Sequence, residues 1–246
     1  MRGCLMSYLT IGHLYTALHA ACASGVARVI EANGEEVAYA DLSRDERLPS
    51  LDDGEVDILV SAWFPQDEVI RSHGHEVIGS LYHPELQFSA LRTTGKGAGW
   101  SAGDFTSLLT TANALPFVEK MFDQRPDLKE LPLDVVATEE VFSRLKQAED
   151  AGNCPLIAVW QPHAIFHSDM LETLPDGDLL AGEVQTARLV LRKGLRDEVD
   201  EDLLDELSIM MLSNKVMSAL DYAVSIDGMS PGEAAESWQR GRLIPR

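Results

Sequence analysis

Two periods of apolar residues alternate along the first third of the chain. Leu9 to Gly12 reads as a short strand. From Leu14 to Asn33 the residues Leu14, Leu18, Ala21, Cys22, Val26, Val29 and Ile30 recur at helical spacing. Asn33-Gly34 supplies the stop, because glycine accepts the left-handed conformation that ends helices. Glu36 to Ala40 is a second strand, Leu48 to Asp53 a short helix closed by Gly54, and Val56 to Ala62 a third strand. The third is apolar along most of its length, as a strand buried on both faces is. It ends at Trp63-Phe64-Pro65. Strand, helix, strand, helix, strand with short links is the α/β pattern.

The pattern blurs from Arg71 to Thr94, which reads as a crossing between two lobes, with a strand from Phe88 to Thr93. Ser101-Ala102-Gly103-Asp104 has capping-box spacing, a serine N-cap with an acid three residues on. It predicts a helix from Phe105 to Phe122, kinked or restarted at Pro116. A strand within Asp127 to Ala137, a helix from Thr138 to Ala151 and a buried strand from Leu156 to Val159 follow, the last delivering Trp160. Val184 to Arg192 alternates apolar and polar residues, the mark of a half-exposed strand. Helices over Glu201 to Ile226 and Pro231 to Gln239 complete the chain, which shows no internal repeat.

Composition narrows the function classes. With 246 residues, 45% hydrophobic and 24% charged, the chain can bury a sizeable core as one domain or two. A net charge of −20 turns away nucleic acid and anionic membrane surfaces. Cys4, Cys22 and Cys154 are odd in number with no CxxC, which is neither a disulfide framework nor a zinc site. Residues 1–7 run straight into the first strand without an apolar run and cleavage site, so the chain as written is expected in the cytoplasm. No stretch is long and apolar enough for direct membrane insertion. His73, His75 and His83 include an H-x-H pair, but without a clear pattern of acids or cysteines they read as exposed loop histidines rather than metal ligands.

Three of the four tryptophans stand at breaks marked by glycine or proline: Trp63, Gly97-Ala98-Gly99-Trp100, and Val159-Trp160-Gln161-Pro162-His163. An indole face carries a negative quadrupole, and several turned to one point make a pocket for a poorly hydrated cation, usually a quaternary ammonium. The competing reading has each tryptophan plug the core end of a strand. Trp238, on an apolar helical face, is assigned to core or interface. The glycine run before Trp100 lacks the ending of a phosphate loop. A loop that ends on a tryptophan and opens a helix still presents amide N–H groups beside an aromatic face, and such amides bind carboxylates. No G-x-S-x-G, HExxH or dinucleotide fingerprint occurs, so neither a catalytic set nor a cofactor is expected.

Taken in order, Asp57, Trp63-Phe64-Pro65, Gly97-Ala98-Gly99-Trp100, Trp160-Gln161-Pro162-His163, Leu174-Pro175-Asp176, Arg192-Lys193-Gly194 and Gly232-Glu233-Ala234-Ala235-Glu236-Ser237-Trp238 resemble the glycine betaine/proline-betaine (OpuAC-like) substrate-binding family of ABC transporters. The resemblance implies an α/β, two-lobe type II periplasmic-binding-protein-like fold, each lobe a mostly parallel sheet flanked by helices. Lobe 1 would comprise residues 1–83 and 186–246 and lobe 2 residues 84–185, with the ligand cleft between them. It implies a non-catalytic protein that binds glycine betaine, choline or a similar solute for an ABC permease, or as a soluble sensor, in a family that works outside the membrane. Trp63, Trp100 and Trp160 would box the trimethylammonium, the amides of Ser101 and Ala102 would take a carboxylate, and His163 would be a polar neighbour. His13 and Tyr15, just after the first strand, add a hydroxyl contact or a fourth wall; packing of Tyr15 beneath the first helix stands beside that reading. Asp104 would repel a ligand carboxylate and so favours a cation without one, such as choline. The stretch from Pro65 to Gly95 is shorter than the family's usual connection, which leaves room for fewer elements in lobe 2. The alternative is an enzyme acting on a related small molecule, with His163 and either Asp104 or Asp169 as an acid–base pair.

Overall fold

The structure, a computed structural model, describes residues 8–95, 99–175 and 184–245. The chain forms two compact units, one from the stretch up to His83 with Gln185–Ile244, the other from Pro84–Val184. The N-terminal residues on which a cytoplasmic location was expected lie outside the described residues, as do Gly97 and Ala98 of the glycine run and Asp176. Among the described residues no helix is long and apolar enough to cross a membrane.

The first unit holds β1 (Tyr8–Leu14), β2 (Glu36–Leu42), β3 (Ile58–Phe64), β4 (Glu76–Tyr82) and β10 (Thr186–Leu191), in the sheet order β2-β1-β3-β10-β4. β1 pairs in parallel with β2 and β3, and β10 runs antiparallel between β3 and β4, so four of the five strands share a direction. Helix α1 (Ala17–Ala32) starts at Thr16, whose Oγ1 accepts the His19 amide, and stops at Asn33 before Gly34, at φ 88°. It packs against β1, β2 and β3 and is fully buried over Ala21–Ala27. Such an element needs the small residues that the sequence supplies there. Gly12 leaves room on β1 for different neighbours: a Cβ there would lie 2.8 Å from Leu42 and 2.9 Å from Val56. Short helices α2 (Arg47–Asp52) and α3 (Glu68–Ser72) cover another face, with Leu51 and Ile70 in one cluster with Leu59, Ala62 and Phe64. Asp57 ties the sheet at one end, accepting the Thr10 amide at 2.8 Å and the Arg192 guanidinium at 2.6 Å.

The second unit repeats the arrangement. β5 (Glu85–Leu91), β6 (Ser107–Thr111), β7 (Leu133–Val136), β8 (Pro155–Gln161) and β9 (Leu171–Thr173) stand in the order β7-β6-β8-β5-β9, with β5 the antiparallel strand. α4 (Leu115–Met121) follows β6, as α1 follows β1, and α5 (Val141–Asp150) follows β7, as α2 follows β2. β4 and β5 are joined by two residues, and among the described residues the second unit has five strands, as the first has. The last helices, α6 (Glu201–Ile209), α7 (Asn214–Ser225) and α8 (Pro231–Gln239), return to the first unit.

Three sequence expectations are corrected. The capping contact at Ser101–Asp104 exists but closes only a single 3-10 turn over Ala102–Asp104, and the predicted helix Phe105–Phe122 is β6 followed by α4. Leu108 to Thr111 are all buried, Thr110 and Thr111 are β-branched, and the Thr110 hydroxyl donates to the Ala158 carbonyl at 2.7 Å across the sheet. Strand pairing outweighs a local cap. β10 is buried on both sides at Leu189, Val190 and Leu191 and is no half-exposed strand, because it is inserted between two others. Residues 201–226 are two helices, parted where the Leu212 amide donates to the Leu81 carbonyl at 2.5 Å.

Candidate functional site

β3 and β8 are the middle strands of their sheets, and each ends in a Trp-x-Pro turn with a cis proline, Trp63-Phe64-Pro65 and Trp160-Gln161-Pro162. Trp63 is 8% exposed and Trp160 5%.

Trp63 reaches its place through an irregularity. β10 pairs Arg188 with Ala62 and Val190 with Leu59, so Val60 and Ser61 together oppose Leu189 in a β-bulge. Ser61 has φ 64°, the one non-glycine residue in that region among the described residues. The extra residue shifts side-chain alternation, so that Leu59, three residues from Ala62, still shares its core cluster with Ala62 and Phe64. Trp63 is thereby carried to the α1 side, where the His19 ring stacks on it at 6.2 Å and 27°. Its Nε1–H lies 3.3 Å from Ser61 Oγ and 3.2 Å from Tyr82 Oη, and these two hydroxyls bond each other.

Charge surrounds this corner but is paired. Asp67 accepts the Trp63 amide at 2.7 Å and both terminal nitrogens of the buried Arg47 at 2.8 and 2.7 Å. His19 is buried, and its Nδ1 lies 2.6 Å from Thr16 Oγ1. Burial, with the Arg47, His13 and Arg44 charges adding to it and Asp67 opposing, pushes its pKa down to about 3, so the ring against Trp63 is neutral. His13 is also buried on β1, its Nδ1 3.0 Å from the Leu14 carbonyl and its Nε2 3.4 Å from Asp41. Tyr15 is 66% exposed, which removes the reading that packs it beneath α1.

In the second unit β8 pairs with β5 in unbroken register from Gln161 to Ile157, and ordinary alternation suffices. Ile157 and Val159 join the cluster of α5 residues Val141 and Leu145, while Trp160 meets Phe117 of α4 edge-on at 5.0 Å and 86°. The Trp160 Nε1–H points to the Asn113 carbonyl at 3.4 Å. His163 is 7% exposed; its Nε2 lies 3.0 Å from the Thr138 carbonyl and its Nδ1 accepts the Ile165 amide at 3.1 Å. Nδ1 thus serves the turn after β8, and Nε2 ties that turn to the backbone just before α5.

Trp100 is placed differently. The Arg125 guanidinium lies 4.2 Å from its ring centre, Phe105 meets it edge-on at 5.7 Å, and its Nε1–H donates to the Pro175 carbonyl at 3.0 Å. Arg125 in turn forks onto Asp127 at 2.9 and 2.8 Å. Arg125 holds the Asp127 carboxyl below its usual range, with a hydrogen bond from the Ala102 amide contributing. The Ser101 amide donates to Asp104 at 2.8 Å. Both amides expected to take a ligand carboxylate are therefore engaged by carboxylates of the chain.

The residues that hold the two strand ends, namely Ser61, Tyr82, His19, Asp67 and Arg47 in one unit and Asn113 and Phe117 in the other, are not singled out by sequence reasoning. A serine inside an apolar strand is the one local signal among them. His75 is buried rather than exposed, and it shares the Asp52 carboxylate with His73 at 3.0 and 3.1 Å. Among the described residues no group of three or more His, Cys, Asp or Glu side chains is set to hold a metal ion.

Residues 118–240 match the family described as the substrate binding domain of ABC-type glycine betaine transport systems. No curated protein sequence matches the chain. Among solved structures the chain is similar to lactococcal OpuAC in its closed-liganded conformation with glycine betaine, at 21% identity, TM-score 0.75 and 96% coverage of both chains. It is similar to an ABC-transporter choline-binding protein in complex with choline, at 17% identity and TM-score 0.71, covering 96% of this chain and 89% of that one. The glycine betaine/L-proline-binding protein ProX of Borrelia burgdorferi follows at 17% identity and TM-score 0.72, with 98% and 97% covered. At such identities the likeness is one of fold, the two-lobe type II periplasmic-binding-protein fold.

Proposed function

This chain belongs to the family of substrate-binding domains of ABC-type glycine betaine transport systems, and from that premise we propose that it binds a small quaternary ammonium solute with Trp63 and Trp160 as aromatic walls. The observation that carries the reading is their equivalence: each unit ends its middle strand in Trp-x-Pro and turns the indole toward the helix that follows the parallel strand beside it. An indole face attracts a cation that has little hydration to lose, which describes a trimethylammonium. Structures of similar fold hold glycine betaine and choline, and both are candidate ligands here. Trp100 is left out of the walls because Arg125 already lies over its ring. Ser101 and Ala102 are left out because Asp104 and Asp127 hold their amides. His13 keeps a supporting place beside His19, and His163 shapes the turn that carries Trp160.

The role is non-catalytic: the protein hands its ligand to an ABC permease. The enzymatic alternative loses its general base, since the two His163 ring nitrogens are engaged by the Thr138 carbonyl and the Ile165 amide. Titration calorimetry with glycine betaine, choline and tetramethylammonium tests the reading. We expect saturable binding, weakened about tenfold or more by Trp63→Ala and by Trp160→Ala, as suits a desolvated cation–π wall of about 1.4–2 kcal/mol. Trp100→Ala should change affinity less than about twofold. Failure of all three ligands to bind, or their recovery chemically altered, overturns the proposal.

A further inference from the structure

We infer that Ser61 and Tyr82 are positioning residues for the Trp63 indole, and that the bulge at Val60–Ser61 exists to aim that ring; the functional part of this inference rests on the reading of Trp63 as a ligand wall. Three observations converge. The bulge alone sets which side of the sheet Trp63 occupies, because regular alternation from Leu59 would turn the indole into the cluster of Leu51 and Ile70. Ser61 sits there at φ 64°, a conformation that glycine adopts without steric penalty and serine does not. What serine adds is a hydroxyl, and the hydroxyl of this residue, 2% exposed as a whole, lies between Tyr82 Oη and Trp63 Nε1.

The third observation is the row across the sheet. Ala187 of β10 is paired with Trp63 on one side and with Tyr82 of β4 on the other. Directly paired residues share a face. A methyl group between the two aromatic side chains lets the indole N–H reach the phenol at 3.2 Å over the intervening strand. Tyr82 is fully buried, and burial foremost pushes its pKa up, so its oxygen stays protonated. Turning the indole over would take its N–H away from two buried hydroxyls, leaving them only each other, and that donor would have to be buried elsewhere, which fixes the ring in one orientation.

Ser61→Gly and Tyr82→Phe test this in the full chain. Without ligand, the indole N–H of Trp63 is followed by nitrogen-15 NMR, identified as the resonance lost in Trp63→Phe. Its hydrogen exchange should quicken about tenfold or more in either variant. Tetramethylammonium and glycine betaine affinities should fall about three- to tenfold. Ser61→Gly should melt at or above the temperature of the unsubstituted protein, because it relieves the backbone while losing the hydroxyl. Stability and affinity then move in opposite directions, which a serine that merely held β3 together would not produce. Unchanged indole exchange and unchanged affinity in both variants, with binding still weakened by Trp63→Ala, overturn the inference and leave the site reading standing. Absence of binding in the unsubstituted protein overturns the site reading and the functional half of this inference, while the indole exchange still decides whether these hydroxyls hold the ring.

Discussion

The ends of β3 and β8 carry the same short sequence pattern and hold it by opposite means. At β8 the strand runs in register to its last residue, Ile157 and Val159 feed one core, and Trp160 falls on the other side by alternation alone. Its ring is then met by the edge of Phe117. At β3 one extra residue separates Leu59 from Ala62, and an inserted serine with left-handed backbone restores the side on which the tryptophan must lie. Around it stands a buried polar set: two hydroxyls, a neutral histidine, and an arginine–aspartate pair. The difference teaches that an indole at a strand end can be set on its side of the sheet by alternation alone or by a bulge held with buried polar groups, and that only the second form depends on charges staying paired.

Breaking the ion pair gives the largest expected effect. Arg47→Met leaves the Asp67 carboxylate buried without its partner, which costs about 3–5 kcal/mol for pairs of this kind. Phe117→Leu, the matching change in the second unit, removes an edge-to-face contact of about 0.5–1.5 kcal/mol. Urea denaturation, with amide exchange read separately in β3 and β8, should show the loss confined to the unit that carries each change. A cost below about 1 kcal/mol for Arg47→Met would mean that Asp67 has water or Arg44, 3.8 Å away, to turn to, and the contrast between the two ends would fail.

Acid should separate the two ends next. The folded pKa of His19, about 3, lies below its ordinary 6.5, so the folded state binds fewer protons than the unfolded chain between those values. Its contribution is complete above pH 6.5 and is lost as pH falls toward about 3, at up to about 1.4 kcal/mol per pH unit. The ring against Trp160 is a phenylalanine, which takes up no proton. Comparing the unsubstituted protein with His19→Gln isolates the effect: their stability difference should shrink by about 2 kcal/mol between pH 7 and pH 5. A difference independent of pH would place the His19 ring in contact with water.

Much of this architecture is legible in the chain. The 3.6-residue period from Leu14 to Asn33 yields α1, and apolar runs between glycine and proline breaks yield β3 and β8 together with the tryptophans at their ends. What escapes is whatever depends on a neighbour distant in sequence. Ser61 reads as an interruption until β10, more than a hundred residues later, supplies the register that makes it a bulge. Phe105 to Phe122 reads as a helix because the cap is local, whereas the strands that claim Ser107–Thr111 are not. Arg125 carries no sequence mark linking it to Trp100, although the contact decides what Trp100 does. Periodicity encodes which face of an element is buried; it does not encode which polar groups meet there.

Trp100 offers the smallest effect and tests the rule from outside the pair. It too stands at a glycine break, yet its ring already carries a cation, and that cation is fixed by two hydrogen bonds to Asp127. The site is partly exposed, where a cation–π contact is worth about 0.5–1 kcal/mol. Arg125→Ala removes both the contact and the fork, while Arg125→Lys keeps the charge and loses the fork's planar geometry. We expect Arg125→Ala to lower stability by about 1 kcal/mol or less and to leave tetramethylammonium affinity within about twofold, with Arg125→Lys between it and the unsubstituted protein. Calorimetric titration beside a melting curve checks both quantities on the same samples. If Arg125→Ala instead tightened binding several-fold, the guanidinium would be a competitor that the ligand displaces. Trp100 would then return to the set of walls, and equivalence of place in the two units would no longer be the criterion that picks them out.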